Sequence, residues 1–445
     1  MHNSVKRTGP SAVALNGDIY CHIIEQLAAS PFNSLLSVSL VSRDFYRFTT
    51  VIRFRVIQIS PEFELHLLKR LEDNPSLLSY VRKVIIDPSY VIGEDAEEVE
   101  RRILEKTLDL LPRMIYLTDL RCHIVPGMVR KRTLGEGQIL SSLRRLSVNS
   151  IHTDESWRHG IPWNSLIELQ FTYFSDILLD VVDQMHSLRS IKLMGRAPPL
   201  SKDHLGVKRR IAEFLREVPS ALEELDLEEL TGDIPVSIFA RFGRSLKRLR
   251  LYNRGNVWSR SVLSPEQLDE ICAGCPHLEE LLIDINRDGD WPHEILDKVA
   301  QFPRIKTVTL CLEVGPSAYK CVKPYLSHYT SIELYKYIAS QRTFGPLAEL
   351  LVTVDPHGYR ACPGFKSGQY MRTYKVVPCR RLKDAHARGL LDVRSSGIKG
   401  YQDDEGTEAF YGPVGGNTED DNVIAALHEE HCKWLSRIQL SNRVI

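Results

Sequence analysis

The chain has 445 residues, of which 43% are hydrophobic and 26% are charged, proportions that are typical of a folded globular protein. Its 57 Lys and Arg residues balance 57 Asp and Glu residues, so net charge gives no reason to expect a nucleic-acid or membrane partner. The nine cysteines are odd in number and scattered, and no apolar run approaches the roughly 18 residues of a membrane span. Without a secretory signal, these features predict an intracellular protein of the cytoplasm, the nucleus or both.

Three short helices are predicted within residues 13–55, after an N-terminus (1–12) that we expect to be disordered. In the first helix Ile19, Ile23 and Leu27 recur at every fourth position, which places them on one apolar face. Two further helical stretches follow a proline-containing break. Because three short helices cannot bury much core, their apolar residues are expected to dock onto a partner or onto the rest of the chain.

The same residues resemble the F-box, a family that begins Leu-Pro, continues with an isoleucine-rich helix and closes with Val-Ser-Arg-x-Phe or a close variant. Two departures are visible here: Asn16 stands where the family has proline, and the loop at 28–33 is long. The resemblance implies contact with a Skp-type adaptor through Leu15, Ile19, Ile23, Leu27, Leu35, Leu36, Val41 and Phe45. The alternative is a three-helix cap that packs on the following domain.

From residue 81 onward a pattern of apolar-x-x-apolar-x-apolar recurs ten times, with steps that centre on the length of leucine-rich repeats. Its last two apolar positions alternate with polar ones, which predicts a short strand with one buried side. The ten segments are 81–86, 117–122, 143–148, 166–171, 188–193, 222–227, 246–251, 278–283, 305–310 and 347–352.

Helices are predicted before several of these strands, at 208–218, 264–275 and 292–302, each ending near a proline. Ser264 and Gln267 around Pro265 form the signature of a capped helix start. Repeated helix and strand predict an α/β solenoid over 56–355 with a parallel inner sheet and outer helices. The region resembles the irregular leucine-rich repeats that often follow an F-box in fungal proteins; an unrelated α/β domain is the alternative.

Polar residues between the buried strand positions are expected to face outward on the concave side of the solenoid, where a target protein would bind. The candidate target-binding residues are Lys192, Met194, Glu224, Asp226, Glu228, Arg248, Arg250, Tyr252, Glu280 and Asp284. An acidic row beside a basic row is typical of a charged recognition surface. For the individual residues we favour lateral pairing of Glu224 with Arg248 and of Asp226 with Arg250, and exposed pairs contribute only ~0–1 kcal/mol each. The face as a whole remains the predicted site for a target protein.

Signals for chemistry are weak. Cys272 and Cys275 form a lone CxxC without the second pair that a zinc site needs. The stretch from Asp284 begins like a calcium loop, but Ile295 stands at the twelfth position, where a bidentate Glu is required. We therefore predict no catalytic residue, no metal site, no cofactor and no enzymatic activity of the chain itself.

The last segment, 356–445, breaks the repeat. Residues 360–399 hold ten Lys and Arg against two acids, whereas 400–432 hold nine Asp and Glu and no Lys or Arg. The two blocks either fold against each other or leave a basic patch for an acidic partner. A helix is predicted at 421–439, where it would cap the open end of the solenoid.

Together the resemblances imply a substrate-recognition subunit of a Skp–cullin–F-box type ubiquitin ligase. The helical domain would dock the Skp-type adaptor, and through it a cullin, while the repeats would hold an unidentified target protein. The alternative is a non-ligase repeat scaffold in which the N-terminal helices are a structural cap. One observation separates the two, because a partner-facing stripe is exposed in the isolated chain whereas a cap buries it.

Overall fold

The computed structural model of the protein is a mixed α/β chain of two compact units, Met1–Gln170 and Phe171–Ile445, here named unit 1 and unit 2. Both units combine helices with strands that are mostly parallel. The structure describes residues 17–28, 34–59, 65–86, 96–122, 139–149, 155–196, 204–219, 221–253, 260–287, 289–313, 324, 326, 328–354, 372–378 and 391–397.

Unit 1 opens with three helices, as predicted. They are α1 (Gly17–Ala28), α2 (Ser34–Ser39) and α3 (Arg43–Arg55). Ser42 caps α3, since its hydroxyl oxygen accepts a hydrogen bond of 3.2 Å from the backbone N–H of Phe45. An ion pair of 2.7 Å between Arg55 Nη1 and Glu25 Oε1 joins α3 to α1.

The strands of unit 1 begin directly after α3. They are β1 (Val56–Ile59), β2 (Lys83–Ile86), β3 (Asp119–Cys122) and β4 (Arg145–Val148), and β5 (Glu168–Tyr173) contains the division between the units. β1 to β4 pair in chain order and in parallel, in a register that sets Lys83 beside Asp119 and Asp119 beside Arg145. The connecting helices are α4 (Leu65–Asp73), α5 (Ala96–Leu110) and α6 (Glu155–Gly160).

Unit 2 continues the same alternation of helix and strand. Its strands are β6 (Ser190–Arg196), β7 (Glu224–Glu228), β8 (Arg248–Tyr252), β9 (Glu280–Ile285), β10 (Thr307–Leu312), β11 (Glu349–Val354), β12 (Arg372–Pro378) and β13 (Leu391–Gly397). β6 to β11 pair in chain order and in parallel, and β12 and β13 add to β11 as antiparallel strands.

The helices of unit 2 include the three that the sequence predicts. They are α7 (Ile177–Val181), α8 (His204–Glu217), α9 (Ser237–Ala240), α10 (Pro265–Gly274), α11 (His293–Ala300) and α12 (His328–Gln341). The predicted capping box of α10 is confirmed: Ser264 Oγ accepts from the N–H of Gln267 at 3.3 Å, and Gln267 Oε1 accepts from the N–H of Ser264 at 2.9 Å.

One hydrogen-bond arrangement recurs at the start of eight strands. The N–H groups of Glu223 and Glu224 both donate to the carbonyl oxygen of Arg189, and those of Lys247 and Arg248 both donate to that of Glu223. The same arrangement recurs at β9, β10 and β11, and in unit 1 at β3, β4 and β5. Among the described residues, these strands therefore join their predecessors in the same way within each unit, which is the geometry expected of stacked repeats.

All ten segments predicted as strands contain one, from β2 to β11. The predicted repeat series began at residue 81 and missed β1, although Phe54, Ile57 and Ile59 fit the same apolar pattern and are buried. It also missed β12 and β13, where an irregular or helical cap was expected; these strands pair antiparallel and need no repeat unit. The predicted helix at 421–439 lies outside the described residues.

Candidate functional site

The N-terminal helices carry apolar side chains on their solvent side. Ile19 is 47% exposed, Ile23 is 37% exposed and Val41 is 69% exposed. These three belong to the set that the F-box resemblance assigns to adaptor contact. Ile19 and Ile23 lie on α1, and Val41 lies in the turn between α2 and α3. Exposed apolar side chains of this kind favour contact with a protein partner.

The other members of the predicted adaptor-binding set are less accessible or are not described. Leu27, Leu35 and Phe45 are half-buried. Leu15 and the side chain of Leu36 lie outside the described residues. Leu40 and Tyr46 are also exposed, but the predicted adaptor-binding set did not include them. Leu40 directly precedes Val41 and Tyr46 directly follows Phe45, so the F-box motif could have pointed to both.

The inner side of the same helices is a small core. Ile24 and Phe54 are buried, and so is Thr49, whose hydroxyl donates to the carbonyl oxygen of Phe45 at 2.7 Å. The guanidinium of Arg70 lies 5.4 Å from the centre of the Phe54 ring, which ties α3 to the α4 region of unit 1. Ile24, which follows Ile23 in the chain, therefore supplies the packing, and the exposed residues are not needed for it.

In unit 2 the outward-facing strand positions form ion pairs across neighbouring strands. Arg248 Nη2 lies 2.7 Å from Glu224 Oε2, and Arg250 Nη1 lies 3.8 Å from Asp226 Oδ2. Asp226 Oδ2 also lies 3.2 Å from Lys192 Nζ. The register sets Glu224 opposite Arg248 and Asp226 opposite Arg250, so the predicted lateral pairing is confirmed.

Three of the ten candidate target-binding residues that were expected to face outward are not accessible to a target. Asp226, Glu228 and Asp284 are buried, with exposed fractions of 4%, 0% and 3%. Glu228 is the last residue of β7 and Asp284 the last but one of β9, whereas Asp226 is in the middle of β7. Glu228 Oε2 accepts a hydrogen bond of 3.2 Å from the hydroxyl of Tyr252, which stands beside it on β8.

The burial of Asp284 has a specific cause. The segment that follows β8 brings Arg260 onto β9, where its Nη2 lies 2.6 Å from Asp284 Oδ1 and also donates to the carbonyl oxygen of Cys311. The other carboxylate oxygen, Oδ2, accepts the N–H of Asn253 at 2.6 Å. Both charged side chains are almost fully buried, so Asp284 is held inside the fold by this pair.

A second buried arginine, Arg287, forms a similar buried ion pair one repeat later. The N–H of Arg287 donates to Glu313 Oε1 at 2.6 Å, and its Nε lies 3.2 Å from Oε2. Its Nη1 and Nη2 donate to the carbonyl oxygens of Pro324 and Glu313, each at 2.7 Å. The sequence reading missed both arginines; their recurrence after successive strands is the signal that could have found them.

The candidate face of unit 2 is therefore smaller than predicted. The accessible or half-buried residues that remain are Lys192, Met194, Glu224, Arg248, Arg250, Tyr252 and Glu280. Burial acts to raise the pKa of Glu224, but the hydrogen bond from Arg248 and the charges of Arg248 and Arg250 outweigh it, so this pKa lies below its ordinary value. Burial raises the pKa of Asp226 although Lys192 and Arg250 oppose the rise.

Unit 1 has a different charge pattern on the equivalent strand positions. The buried carboxylate of Asp119 lies 3.6 Å from Lys83 Nζ, 3.5 Å from Arg121 Nε and 3.2 Å from Arg145 Nε. Three cations thus share one acid. No candidate target-binding residue before Lys192 was predicted from the sequence, so this cluster was missed. The cluster becomes visible when the segments 81–86 and 117–122 are aligned with 143–148.

Groups suited to chemistry are sparse. Among the residues described, no cluster of three or more His, Cys, Asp or Glu side chains is placed to hold a metal ion, and no described helix has the length and apolar character needed to cross a membrane. Burial raises the pKa of Cys275 to about 12, with a further contribution from Cys272, whose own pKa is also raised by burial. Neither thiol is poised to ionise near neutral pH.

Comparison with known proteins adds no assignment. No protein-family model matches the chain, and no curated protein is similar enough to count as a relative. The functional argument therefore depends on the residues and on their geometry.

Proposed function

We propose that this protein is the substrate-recognition subunit of a Skp–cullin–F-box type ubiquitin ligase. The observation that carries the proposal is the exposure of Ile19 and Ile23 on α1 and of Val41 in the turn between α2 and α3, here called the apolar stripe, while Ile24 and Phe54 fill the core of these helices. A helical cap would bury that stripe, whereas an adaptor-binding domain leaves it open until the partner binds. The spacing of these residues resembles the F-box.

The remainder of the chain would be the target-binding part. The ten recurring strands and the repeated hydrogen-bond arrangement favour a leucine-rich-repeat type solenoid, which presents an extended concave surface to a partner. Accessible charged residues such as Arg248, Arg250 and Glu280 would contribute orientation and association rate rather than most of the affinity.

The proposed mechanism is effective concentration, and the chain supplies no chemical step of its own. One end binds the adaptor and the other binds the target, so lysines of the target are held near a conjugating enzyme that the rest of the ligase delivers. The second candidate is a non-ligase repeat scaffold in which the N-terminal helices are a structural cap; the exposure of Ile19, Ile23 and Val41 counts against it.

The test measures binding of a purified Skp-type adaptor by calorimetry. The variant Ile19→Asp/Val41→Asp places two charges on exposed positions and leaves Ile24 intact, so it should fold. If the two residues are central contacts that together contribute ~2 kcal/mol or more, affinity should fall by about thirtyfold or more.

The matched control is Ile115→Asp/Ile139→Asp, which changes two isoleucines of 56% and 57% exposure elsewhere in unit 1. It should bind the adaptor as the wild type does, and both variants should keep the wild-type circular dichroism spectrum. Failure of the wild type to bind the adaptor would refute the ligase reading and favour the scaffold. Equal weakening by both variants would show that the helices are not the adaptor site.

A further inference from the structure

The outward face of the unit 1 strands carries more positive charge than its own carboxylates balance. Lys83, Arg121 and Arg145 all lie within 3.6 Å of Asp119, whose side chain is 3% exposed. One carboxylate can neutralise only one of the three cations. The cluster therefore keeps a surplus of two positive charges at neutral pH.

Two further arginines extend this surplus. Arg82 and Arg144 stand immediately before β2 and β4; Arg82 Nη1 donates to the carbonyl oxygens of Ser79 and Val81, and Arg144 Nη1 donates to that of Leu143. The guanidinium of Arg82 also lies 4.6 Å from the centre of the Tyr116 ring. None of these contacts is with a carboxylate. Glu168, at the start of β5, is the next carboxylate of this face, so five cations meet two acids among the described residues of the unit 1 face.

The corresponding face of unit 2 is balanced instead. There each cation lies beside an acid on a neighbouring strand, as the distances of 2.7 Å for Arg248–Glu224 and 3.2 Å for Lys192–Asp226 show. Arg250 lies between Asp226 and Glu280, at 3.8 Å and 3.9 Å. An anionic ligand that approached unit 2 would have to displace these acids, whereas in unit 1 it would find unneutralised cations.

The cations of unit 1 are also accessible. The side chains of Arg145 and Arg121 are 52% and 43% exposed. Both use Nε toward Asp119, and the Nη groups of the same guanidinium planes are donors suited to bidentate pairing with a carboxylate. Asp119 thus holds two arginines in place without occupying all of their donors.

We propose that the unit 1 face, defined by Lys83, Arg121 and Arg145 with the flanking Arg82 and Arg144, binds an acidic, Asp/Glu-rich segment of a protein partner. Within the proposed function, that segment is the part of the target protein that the receptor recognises. Charge complementarity gives orientation and a fast, salt-dependent association. The zero net charge of the whole chain conceals this local surplus.

Fluorescence anisotropy of a labelled oligoglutamate peptide with the full-length chain tests the proposal, at low salt and again near 0.15 M salt, where the Debye length is about 8 Å. The variant Arg121→Gln/Arg145→Gln should weaken binding by about fivefold or more, and added salt should weaken binding to the wild type. A second variant, Lys83→Gln/Arg121→Gln, keeps Arg145 beside Asp119 in case the first is poorly folded, and it should weaken binding similarly.

Two matched controls carry the same change elsewhere. Arg248→Gln/Arg250→Gln on unit 2 and Arg380→Gln/Arg381→Gln in the basic block 360–399 should each bind the peptide as the wild type does. Loss of binding in either control but not in the unit 1 variants would overturn the proposal, and so would tighter binding of a single-stranded oligonucleotide than of the peptide. Adaptor binding is measured separately and uses other residues, so a failed peptide assay with intact adaptor binding refutes this inference alone.

Discussion

Replacing Arg260 with leucine should destabilise unit 2 far more than replacing an exposed arginine on the same face. Arg260 and Asp284 form an ion pair of 2.6 Å in which the side chains are 6% and 1% exposed. Leucine would leave the Asp284 carboxylate buried with the N–H of Asn253 as its remaining described hydrogen-bond donor. Removing one partner from a buried pair of this kind costs about 3–5 kcal/mol.

The matched control is Arg248→Leu. Arg248 pairs with Glu224 at a similar distance, 2.7 Å, but the side chains are 42% and 21% exposed. Water can solvate Glu224 once its partner is gone, so the expected cost is only ~0–1 kcal/mol. Burial rather than distance therefore decides which arginine matters for stability.

Thermal unfolding followed by circular dichroism measures the difference. At about 2 °C per kcal/mol for a unit of this size, Arg260→Leu should lower the midpoint by about 6–10 °C and Arg248→Leu by about 2 °C or less. The double variant Arg260→Leu/Asp284→Leu should recover part of the loss, because it also removes the buried carboxylate. Equal midpoints for the two single variants would refute the argument that Asp284 is a structural acid.

Three further predictions concern packing and pH. Gly243→Ala should lower the unfolding midpoint, because an added Cβ would lie 1.7 Å from the carbonyl oxygen of Gly274, at the end of α10. The turn that follows α9 would have to move away from α10, at a cost of about 1–3 kcal/mol. An unchanged unfolding midpoint would show that this contact already has room for a methyl group. The hydrogen bond from Lys306 outweighs burial and lowers the pKa of Glu279. This pair therefore stabilises the fold above the ordinary pKa of Glu, and its contribution is lost as pH falls from there through the lowered pKa. Glu279→Gln should make the unfolding midpoint depend less on pH in this acidic range. Burial raises the pKa of Asp226, which means that the folded state penalises its ionised form. Asp226→Asn should therefore raise the unfolding midpoint at pH 7, and the gain should shrink as pH falls through the raised pKa. A lower unfolding midpoint at pH 7 would show that the pairs with Lys192 and Arg250 dominate.

Much of the fold could be read from local pattern. A strand with one buried side shows in residues two apart, and a capped helix shows in residues three apart, so β2 to β11 and the start of α10 were predictable. β12 and β13 were not, because antiparallel strands added at an end need no repeat, and their segments sit in a glycine-rich and charged part of the chain.

The candidate surfaces were only partly predictable. Periodicity assigned Ile19 and Ile23 to one apolar face, and the structure leaves both exposed, but only the structure shows that Ile24 is the residue that packs. Alternation along β7 and β9 assigned Asp226, Glu228 and Asp284 to the accessible face. Alternation reports which side of a strand a residue occupies, and it cannot report whether another segment covers that side.

The sequence by itself determined the positions of the repeated strands, the helix starts and the apolar stripe of the N-terminal helices, because each depends on residues within one or two turns of the chain. Tertiary structure decided which charges are buried and which are shared. Arg260 reaches Asp284 across 24 residues and Cys311 across 51, and Asp119 gathers Lys83 and Arg145 from neighbouring strands. Burial and charge balance depend on which distant segments meet, and folding alone brings those segments together.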